Sequence, residues 1–225
     1  MPLVKKQAVI LIGPPGSGKG TQAELVAEKF GLVHLESSKI IEEKFQKANP
    51  ADKLMVREKE NWLKGKLVNQ TMVASWLIGE IEKTARMGKG IVLSGSPRSS
   101  DELEGELPIM EELYGKDNIR IIHIKLSEEE SVKRNSERRI CESSRHPIPN
   151  TPENASLTVC PQDGSKLITR GLDKPETIKE RYRVYFKETN PILSHFVQHG
   201  YKVIEINGER PIEKVKVDIF KALNE

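Results

Sequence analysis

The sequence predicts an α/β fold in which a parallel sheet carries helices on both faces. Short runs rich in Ile and Val alternate along the chain with longer segments whose apolar residues recur every three or four positions. That alternation is typical of βαβ units, which place neighbouring strands parallel. The apolar runs that we predict as buried strands are Val9–Ile12, Ile91–Leu93, Ile119–Lys125 and Val203–Ile206.

The helices are predicted from the apolar spacing between these strands and from residues that mark helix starts. Ser127 with Glu130 has the spacing of a capping box. Asp173 with Glu176 has the same spacing, and a proline lies in the first turn that follows. Asn190-Pro191 is expected to end one helix and start another. The predicted helices are Gln22–Phe30, Met72–Met87, Glu102–Tyr114 and Ser127–Arg139.

The segment from Ile140 to about Arg170 does not fit this alternation. It contains four prolines and has no clear helical period. It is too long for an ordinary connection, so we expect either a disordered excursion or a functional insert such as a lid.

Composition excludes some classes of protein. The chain has 225 residues, and 36 Lys+Arg against 33 Asp+Glu give a net charge of +3. Hydrophobic residues at 36% and charged residues at 31% are typical of a soluble globular protein. The near balance of charge argues against a basic face for nucleic acid, as do aromatic residues at only 5%. Functional cations must therefore be concentrated locally.

Cysteine content and hydropathy predict a cytoplasmic chain with no membrane partner. Two cysteines are too few for a disulfide framework, which indicates a reducing compartment. The apolar run after Lys5 and Lys6 is too short for a signal peptide, and no small-residue cleavage pattern follows it. No segment approaches the ~20 apolar residues of a membrane span.

The strongest functional signal is a glycine-rich loop between a predicted strand and a predicted helix. Glycines let successive backbone N–H groups point into one anion-sized concavity, and the helix adds its positive N-terminal end. Lys19 is placed to reach the β- and γ-phosphates of a nucleotide. The alternative is a Gly/Pro-rich turn that only caps the helix. The predicted ATP-binding residues of the loop are Gly13, Pro14, Gly16, Ser17, Gly18, Lys19, Gly20 and Thr21.

This loop, with the form Gly-x-Pro-Gly-x-Gly-Lys-Gly-Thr, resembles that of the adenylate kinase family of nucleoside monophosphate kinases. Further motifs follow in the family's order and approximate spacing, so that the resemblance runs from about residue 7 to 223. Those motifs are Gly65-Lys66-Leu67-Val68, Gly95-x-Pro97-Arg98, Arg134-x-x-x-Arg138-Arg139, Arg170, Arg181 and Asn207-Gly208-x-Arg210-Pro211.

The resemblance implies one domain over residues 1–225, with a P-loop five-stranded parallel sheet flanked by helices and interrupted by two mobile inserts. An insert over about 37–67 would close over the monophosphate, and a lid insert over about 133–170 would close over ATP. The core would comprise about 1–36, 68–132 and 171–225. A monomer is expected.

The resemblance also implies a reaction, the reversible transfer of the γ-phosphoryl group of ATP to a nucleoside monophosphate, most simply AMP. Phosphoryl transfer needs positioning and charge stabilisation, and arginine suits it because its planar fork binds phosphate oxygens. Lys19 and Arg138 would hold the transferring group, and Arg98 the acceptor's phosphate. Arg170 and Arg181 would converge on the same junction.

On the ATP base, the resemblance implies that Arg134 lies against one face and the backbone near Arg210 on the other. A simpler alternative exists. Glu130, Arg134 and Arg138 are spaced i, i+4, i+8, which is also the spacing of a solvated salt-bridge ladder.

The residues leave two acceptor bases open. Glu102 takes the place of the family's adenine-reading Gln, and an ionised Glu only accepts hydrogen bonds. Guanine offers two donors, so GMP is an alternative acceptor; the other alternative is that Glu102 is an exposed charge in an acidic run. The implied monophosphate-binding residues are Ser37, Leu67, Val68, Gly95, Arg98 and Glu102.

Departures from the family pattern cluster around the metal and the acceptor phosphate. Lys39 and Ser94 replace acidic residues of the family, and the paired aspartates after Arg170 are reduced to Leu172-Asp173. Mg²⁺ is usually held by phosphates, waters and one or two carboxylates, so we expect Mg²⁺ with ATP but weaker metal use. Glu42 stands where the family has a second arginine for the acceptor phosphate.

The lid segment contains a candidate structural zinc site. Some adenylate kinases hold Zn²⁺ here on two Cys-x-x-Cys-type pairs, with Asp allowed at the last place. This chain offers Cys141, Cys160 and Asp163, with His146, Ser144 or water as the fourth ligand. The alternatives are a polar knuckle in which Ser144 pairs with Asp163, and a disulfide.

Two functions follow from the sequence. The first is a nucleoside monophosphate kinase with ATP and a monophosphate as its partners. The second is a degenerate nucleotide-binding module with little turnover, which the changes at Lys39, Glu42 and Ser94 favour.

Overall fold

Two sheets organise the molecule, of which the computed structural model describes residues 7–143 and 147–224. The larger sheet is parallel and has the strand order β2–β3–β1–β4–β8, and the smaller one is antiparallel with the order β6–β5–β7. In chain order the strands are β1 (Ala8–Ile12), β2 (Val33–Glu36), β3 (Ile91–Ser94), β4 (Ile119–Lys125), β5 (Arg139–Cys141), β6 (Pro147–Ile148), β7 (Leu167–Ile168) and β8 (Val203–Asn207).

Helices cover the parallel sheet and fill the connections between its strands. A π-helical turn over Tyr185–Thr189 precedes the break at Asn190-Pro191, where the sequence predicts a helix end and a new start. In chain order the α-helices are α1 (Lys19–Phe30), α2 (Ser37–Lys47), α3 (Lys53–Leu63), α4 (Gln70–Arg86), α5 (Ser100–Tyr114), α6 (Glu128–Glu137), α7 (Pro175–Val184), α8 (Ile192–Gln198) and α9 (Ile212–Asn224).

The strand β1 shows why this sequence builds a three-layer core. All five of its residues are buried, because both faces of the strand are covered. Ile10 and Ile12 pack in one apolar cluster with residues of α4 and α5, whereas Val9 and Leu11 pack in a second cluster with residues of α1 and α9. Alternate residues of a strand point to opposite faces, so a continuous apolar run is the expected pattern.

The predicted five-stranded parallel sheet flanked by helices is confirmed. The four strands named from the sequence are all present, and β4 spans Ile119–Lys125 as predicted. The sequence prediction missed β2, which lies at one edge of the sheet and reads Val-His-Leu-Glu. An edge strand is covered less completely than a central one, so the polar residues His34 and Glu36 hide its apolar pattern.

The proline-rich segment forms part of the smaller sheet, in which β5 pairs with β6 and β7. The residues described in this segment therefore form an ordered antiparallel sheet, whereas the sequence also allowed a disordered excursion. Among the helices that the structure describes, none is long and apolar enough to cross a lipid bilayer.

Candidate functional site

The glycine-rich loop closes tightly between β1 and α1. The Ser17 N–H donates to the carbonyl oxygen of Pro14 at 3.2 Å, and Gly16 has φ of +78°. A Cβ on Gly16 would lie 2.5 Å from Nδ2 of Asn135, so no larger residue fits at this point. The helix α1 begins at Lys19, so its unpaired N–H groups face the concavity of the loop.

Helix α6 supports the loop from behind. The hydroxyl of Ser131 donates to the carbonyl oxygen of Pro15 at 2.6 Å, and both Ser131 and Asn135 are buried. Neither residue can be predicted from the sequence, because no local signal links α6 to a loop more than 100 positions earlier (Ser131 and Pro15 are separated by 116).

Lys19 is held over the loop by backbone oxygens. Its ammonium group donates to the carbonyl oxygens of Gly13 at 2.6 Å and of Pro14 at 2.8 Å. Burial, followed by the positive charges of Arg98, Arg181 and Arg138, lowers the pKa of Lys19 well below its usual value. An ammonium group in such surroundings gains stability when an anion enters.

A cleft with about 730 Å³ of empty volume opens beside the loop. Four basic residues of the predicted site line it, namely Lys19, Arg98, Arg170 and Arg181. The other residues that line it are Leu11, Ile12, Gly13, Pro15, Ser38, Trp62, Gly65, Lys66, Leu67, Gly95, Pro97, Leu172, Val184, Tyr185 and Thr189.

Arg98, Ser37 and Gly95 form one cluster at the ends of β2 and β3. Nη2 of Arg98 donates to the Ser37 hydroxyl at 3.1 Å, and that hydroxyl donates to the Gly95 carbonyl oxygen at 2.6 Å. Gly95 has φ of +84°, and a Cβ there would lie 2.8 Å from Nη2 of Arg98. Because Gly95 has no side chain, the guanidinium group of Arg98 can lie against it. The structure brings these three predicted monophosphate-binding residues together.

Asp173 is the counter-ion of two arginines. It accepts from Nη2 of Arg138 at 2.8 Å and from Nε at 3.1 Å, and Nη1 of Arg181 lies 3.5 Å from Oδ1. The carboxylate is fully buried, with 0% of its side chain exposed. Burial, followed by the charges of Arg170 and Arg138, lowers the pKa of Arg181 to about 9.

The capping role that the sequence predicts for Asp173 with Glu176 is wrong. Helix α7 begins at Pro175, its N-cap residue is Lys174, and no side chain caps it. The carboxylate of Asp173 instead binds the guanidinium groups described above, because a buried charge gains more from two cations than from backbone N–H groups. The Ser127 cap is confirmed, since its hydroxyl accepts from the Glu130 N–H at 3.4 Å.

Arg134 connects α6 to the segment after β8. Its Nη1 donates to the Gly208 carbonyl oxygen at 2.8 Å, and its Nε donates to Glu130 at 2.7 Å. The ion pair between Arg134 and Glu130 agrees with the salt-bridge alternative, whereas Arg138 pairs with Asp173 and takes no part in such a ladder. The side chain of Arg210 pairs with Asp218 of α9 at 2.8 Å.

The acceptor-side residues divide between the cleft and the interior. Leu67 lines the cleft, whereas Val68 belongs to the hydrophobic core. Trp62, which was not predicted from the sequence, also lines the cleft and packs against Phe45 with ring centroids 6.0 Å apart.

Glu102 is buried rather than exposed, so the alternative of a solvated charge is wrong. Only 1% of the residue is exposed. Its Oε2 accepts from the backbone N–H of Arg98 and from the Ser96 hydroxyl, both at 2.8 Å. The same hydroxyl lies 2.6 Å from Oε1 of Glu106, whose other oxygen is buried with no hydrogen-bond partner in the described structure.

One hydroxyl proton cannot be donated to two carboxylates, so one of the two glutamates must carry a proton and donate it to Ser96. Burial, followed by the charge of Glu102, raises the pKa of Glu106 well above its usual value. We therefore assign the proton to Glu106, which shares the Ser96 hydroxyl with Glu102.

The lid segment brings Cys141, Cys160 and Asp163 together. Their ligand atoms all lie within 4.8 Å of one another. Asp163 accepts from Sγ of Cys141 at 3.1 Å, and the Ser165 hydroxyl lies 2.7 Å from the same sulfur. Both thiols are reduced, so the structure does not contain the disulfide alternative. Ser165 was not predicted, and two predicted partners, Ser144 and His146, lie outside the described residues.

Comparisons with known proteins agree with this geometry. Residues 11–201 match the family model described as adenylate kinase. An adenylate kinase of Kosmotoga olearia is 35% identical over 218 residues, which cover 96% of this chain and 98% of that protein. An adenylate kinase of Methanothrix thermoacetophila is 33% identical over 218 residues, with the same coverage of 96% and 98%. One of Oceanobacillus iheyensis is 32% identical over 221 residues, again with 96% and 98% covered.

Proposed function

Because the chain belongs to the adenylate kinase family, we propose that it transfers the γ-phosphoryl group of ATP to AMP and so forms two molecules of ADP. The observation that carries this function is the convergence of Lys19, Arg98, Arg170 and Arg181 on one cleft beside the phosphate loop. Phosphoryl transfer requires two anionic nucleotides to meet, and concentrated cations stabilise both of them and the charge of the transition state.

The loop and Lys19 bind the donor. Backbone N–H groups of the loop and of the first turn of α1 hydrogen-bond the phosphates of ATP, and Lys19 leaves its carbonyl partners for the β- and γ-phosphates. Arg138 and Arg181 approach from the other side, next to Asp173. The phosphoryl group in transit is then bound by cations on both sides.

Arg98 binds the phosphate of the acceptor. Its guanidinium group hydrogen-bonds the Ser37 hydroxyl and the Gly95 carbonyl oxygen, which are neutral and which a phosphate dianion can replace, while the charge of Glu102 also acts on it. Its planar fork fixes that phosphate in one orientation, which an in-line transfer requires. Glu102, Leu67 and Val68 belong to the acceptor side, with Leu67 in contact with the cleft.

Two segments close the site against water. Residues 37–67 contain α2 and α3, and residues 133–170 contain the small antiparallel sheet. In our proposal the first closes over the monophosphate and the second over ATP, while residues 1–36, 68–132 and 171–225 form the core. Exclusion of water prevents hydrolysis of ATP and strengthens the electrostatic contacts.

The family uses Mg²⁺ with ATP, and one carboxylate of this chain fits that ion. Glu36 pairs in register with Ser94, where the family's acidic residue is missing, and its charge acts on Lys19. Although burial opposes it, the hydrogen bond from Ser38 and the charge of Lys39 hold the pKa of Glu36 below its usual value. When bound, Mg²⁺ neutralises phosphate charge, and Glu36 would hold its water ligands.

A structural Zn²⁺ site in the lid is also part of the proposal. Two thiols and a carboxylate are the donors that Zn²⁺ prefers, and those of Cys141, Cys160 and Asp163 are already close enough to share one ion. The ion would stabilise the small sheet and take no part in the chemistry. The alternative, a polar knuckle, would rest on the hydrogen bonds that Asp163 accepts from Cys141 and Ser165.

The test is coupled turnover of ATP–Mg²⁺ with AMP, GMP, CMP and UMP in parallel, with Lys19→Ala as the blank. We expect AMP to be the preferred acceptor. Preference for GMP would support the reading in which Glu102 selects guanine, and the adenylate kinase relatives do not favour it. If no acceptor gives a rate above the blank, the chain is a nucleotide-binding module and the proposed function is wrong.

A further inference from the structure

Glu42 and Arg170 form an ion pair that joins α2 to the end of the lid segment. Nη2 of Arg170 lies 3.2 Å from Oε1 of Glu42, and the two residues are 128 positions apart in sequence. Their side chains are only 11% and 10% exposed. Water and salt screen such a shielded pair weakly, so the attraction between its two charges is stronger than in an exposed pair.

The two partners face different surroundings. Arg170 lines the cleft, whereas Glu42 is not one of the residues that line it. The positive charge of Arg170 contributes to the lowered pKa values of Arg98 and Arg181, after burial and, for Arg98, the opposing effect of Glu102. Arg170 therefore lies close to both arginines, at the place where the acceptor phosphate meets the transferring group.

The three arginines of this region differ in what balances their charge. The guanidinium group of Arg98 hydrogen-bonds a hydroxyl and a carbonyl oxygen, which are neutral, and the nearby charge of Glu102 partly balances it. Arg181 shares Asp173 with Arg138. Arg170 has a carboxylate partner on the acceptor side, and this is the place where the family resemblance leads one to expect a further arginine.

We infer that Glu42 competes with the phosphate of the nucleoside monophosphate for Arg170, and that it thereby lowers the affinity of the enzyme for its acceptor. The inference rests on the proposed function, because it concerns the acceptor of that reaction. A phosphate dianion that enters the cleft meets an arginine already paired with a carboxylate, and the negative charge of that carboxylate repels it. Glu42 acts through Arg170 and is a positioning residue.

The decisive variant is Glu42→Gln. Glutamine keeps the length of the side chain and an oxygen that accepts from Arg170, so it retains the hydrogen bond and removes only the charge. Glu43→Gln is the matched control, because Glu43 lies on the same helix, pairs with Lys47 and has 63% of its side chain exposed. Glu42→Asp, which keeps the charge, should restore an affinity near that of the unmodified protein.

The experiment is calorimetric titration of AMP into each protein without ATP, followed by steady-state kinetics with both substrates. For Glu42→Gln we expect AMP to bind about tenfold more tightly, a modest effect for a shielded charge pair. The KM for AMP should fall by about the same factor, while the KM for ATP changes by less than about twofold. Glu43→Gln should change neither.

The outcomes separate this inference from the function on which it rests. If Glu42→Gln binds AMP equally or more weakly, Glu42 does not compete with the acceptor and the inference is wrong. An equal gain for ATP would also overturn it, since the effect would then not belong to the acceptor. If the unmodified protein binds AMP but has no turnover, the proposed function fails while the binding comparison still stands. Should Glu42→Gln not fold, Glu42→Met removes the charge at similar volume and carries the same prediction.

Discussion

The fully buried carboxylate of Asp173 binds the guanidinium group of Arg138 through both of its oxygen atoms. Two hydrogen bonds in parallel fix the plane of the guanidinium group as well as its distance. The pair therefore fixes the orientation of the arginine that we propose for contact with the transferring phosphoryl group, and it offsets the charge of its cationic neighbours.

Replacement of Asp173 by Asn should destabilise the protein. Arg138 and Arg181 would lose their shared counter-ion, and breaking a buried pair costs about 3–5 kcal/mol. We expect the low end of that range, because both arginines retain 21% exposure of their side chains. Urea unfolding measures the change. Asp218→Asn, which removes the partner of Arg210 at the surface, is the control and should cost less than about 1 kcal/mol. Equal effects of the two variants would contradict the role assigned to Asp173.

Lys19→Met should separate catalysis from stability. Loss of a cation that binds the transferring group is expected to lower kcat by about 10²–10³-fold. The free energy of unfolding should stay the same or rise, since burial and three neighbouring arginines disfavour the charged ammonium group in the folded protein. A coupled assay and urea unfolding on the same preparation measure both quantities. A variant that keeps its rate, or that loses rate only because it unfolds, would show that Lys19 does not act on the phosphates.

Glu106 should make stability depend on pH. The pKa of Glu106 is raised in the folded protein above its value near 4.5 in the unfolded chain. Its contribution to the free energy of unfolding is therefore complete below pH 4.5 and is lost as the pH rises through the pKa of the folded protein. Glu106→Gln carries no proton that can be lost. The free energy of unfolding of the unmodified protein should therefore fall relative to this variant as pH rises from 5 into the alkaline range.

The measurement is urea unfolding of both proteins at several pH values. Glu104→Gln, an exposed neighbour on α5, is the control and should follow the unmodified protein. A constant difference between Glu106→Gln and the unmodified protein across the range would mean that Glu106 does not hold its proton in the folded state.

The lid should hold about one Zn²⁺ per chain when the protein is purified without chelator. Removal of the metal, or Cys160→Ser, should lower the melting temperature, because metal binding contributes to folding of the sheet that its ligands join. Metal analysis by mass spectrometry and thermal unfolding before and after chelation measure both effects. A metal content near zero, with no shift on chelation, would assign the cluster to the polar knuckle.

The sequence predicts features whose residues are contiguous or strongly periodic. The phosphate loop occupies nine consecutive residues (13–21), and its conformation depends on backbone geometry that glycine makes available. The central strands are apolar on both faces, so their pattern survives in the sequence. The edge strand β2 is short and carries His34 and Glu36, so periodicity alone does not identify it.

Long-range charge pairing is what the sequence cannot predict. The spacing of Asp173 from Glu176 is that of a helix N-cap, and only the folded structure shows that Asp173 pairs with Arg138 and Arg181 instead. The hydrogen bonds that link Ser96 to Glu102 and to Glu106 form across a loop and two turns of α5. Single-residue properties do not contain that information, since each pair exists only after the sheet and helices have assembled.

The pairing of Glu42 with Arg170 also has a consequence for the mutational history of this chain. An arginine at position 42, as the family resemblance would lead one to expect, would place a second guanidinium group against Arg170 in surroundings that are mostly shielded from water. Arg170 itself follows the family pattern, so the departure lies at position 42 alone, where Glu42 supplies a counter-ion in place of a second cation. The effect of a family-typical residue at position 42 therefore depends on the residues that surround it in this chain.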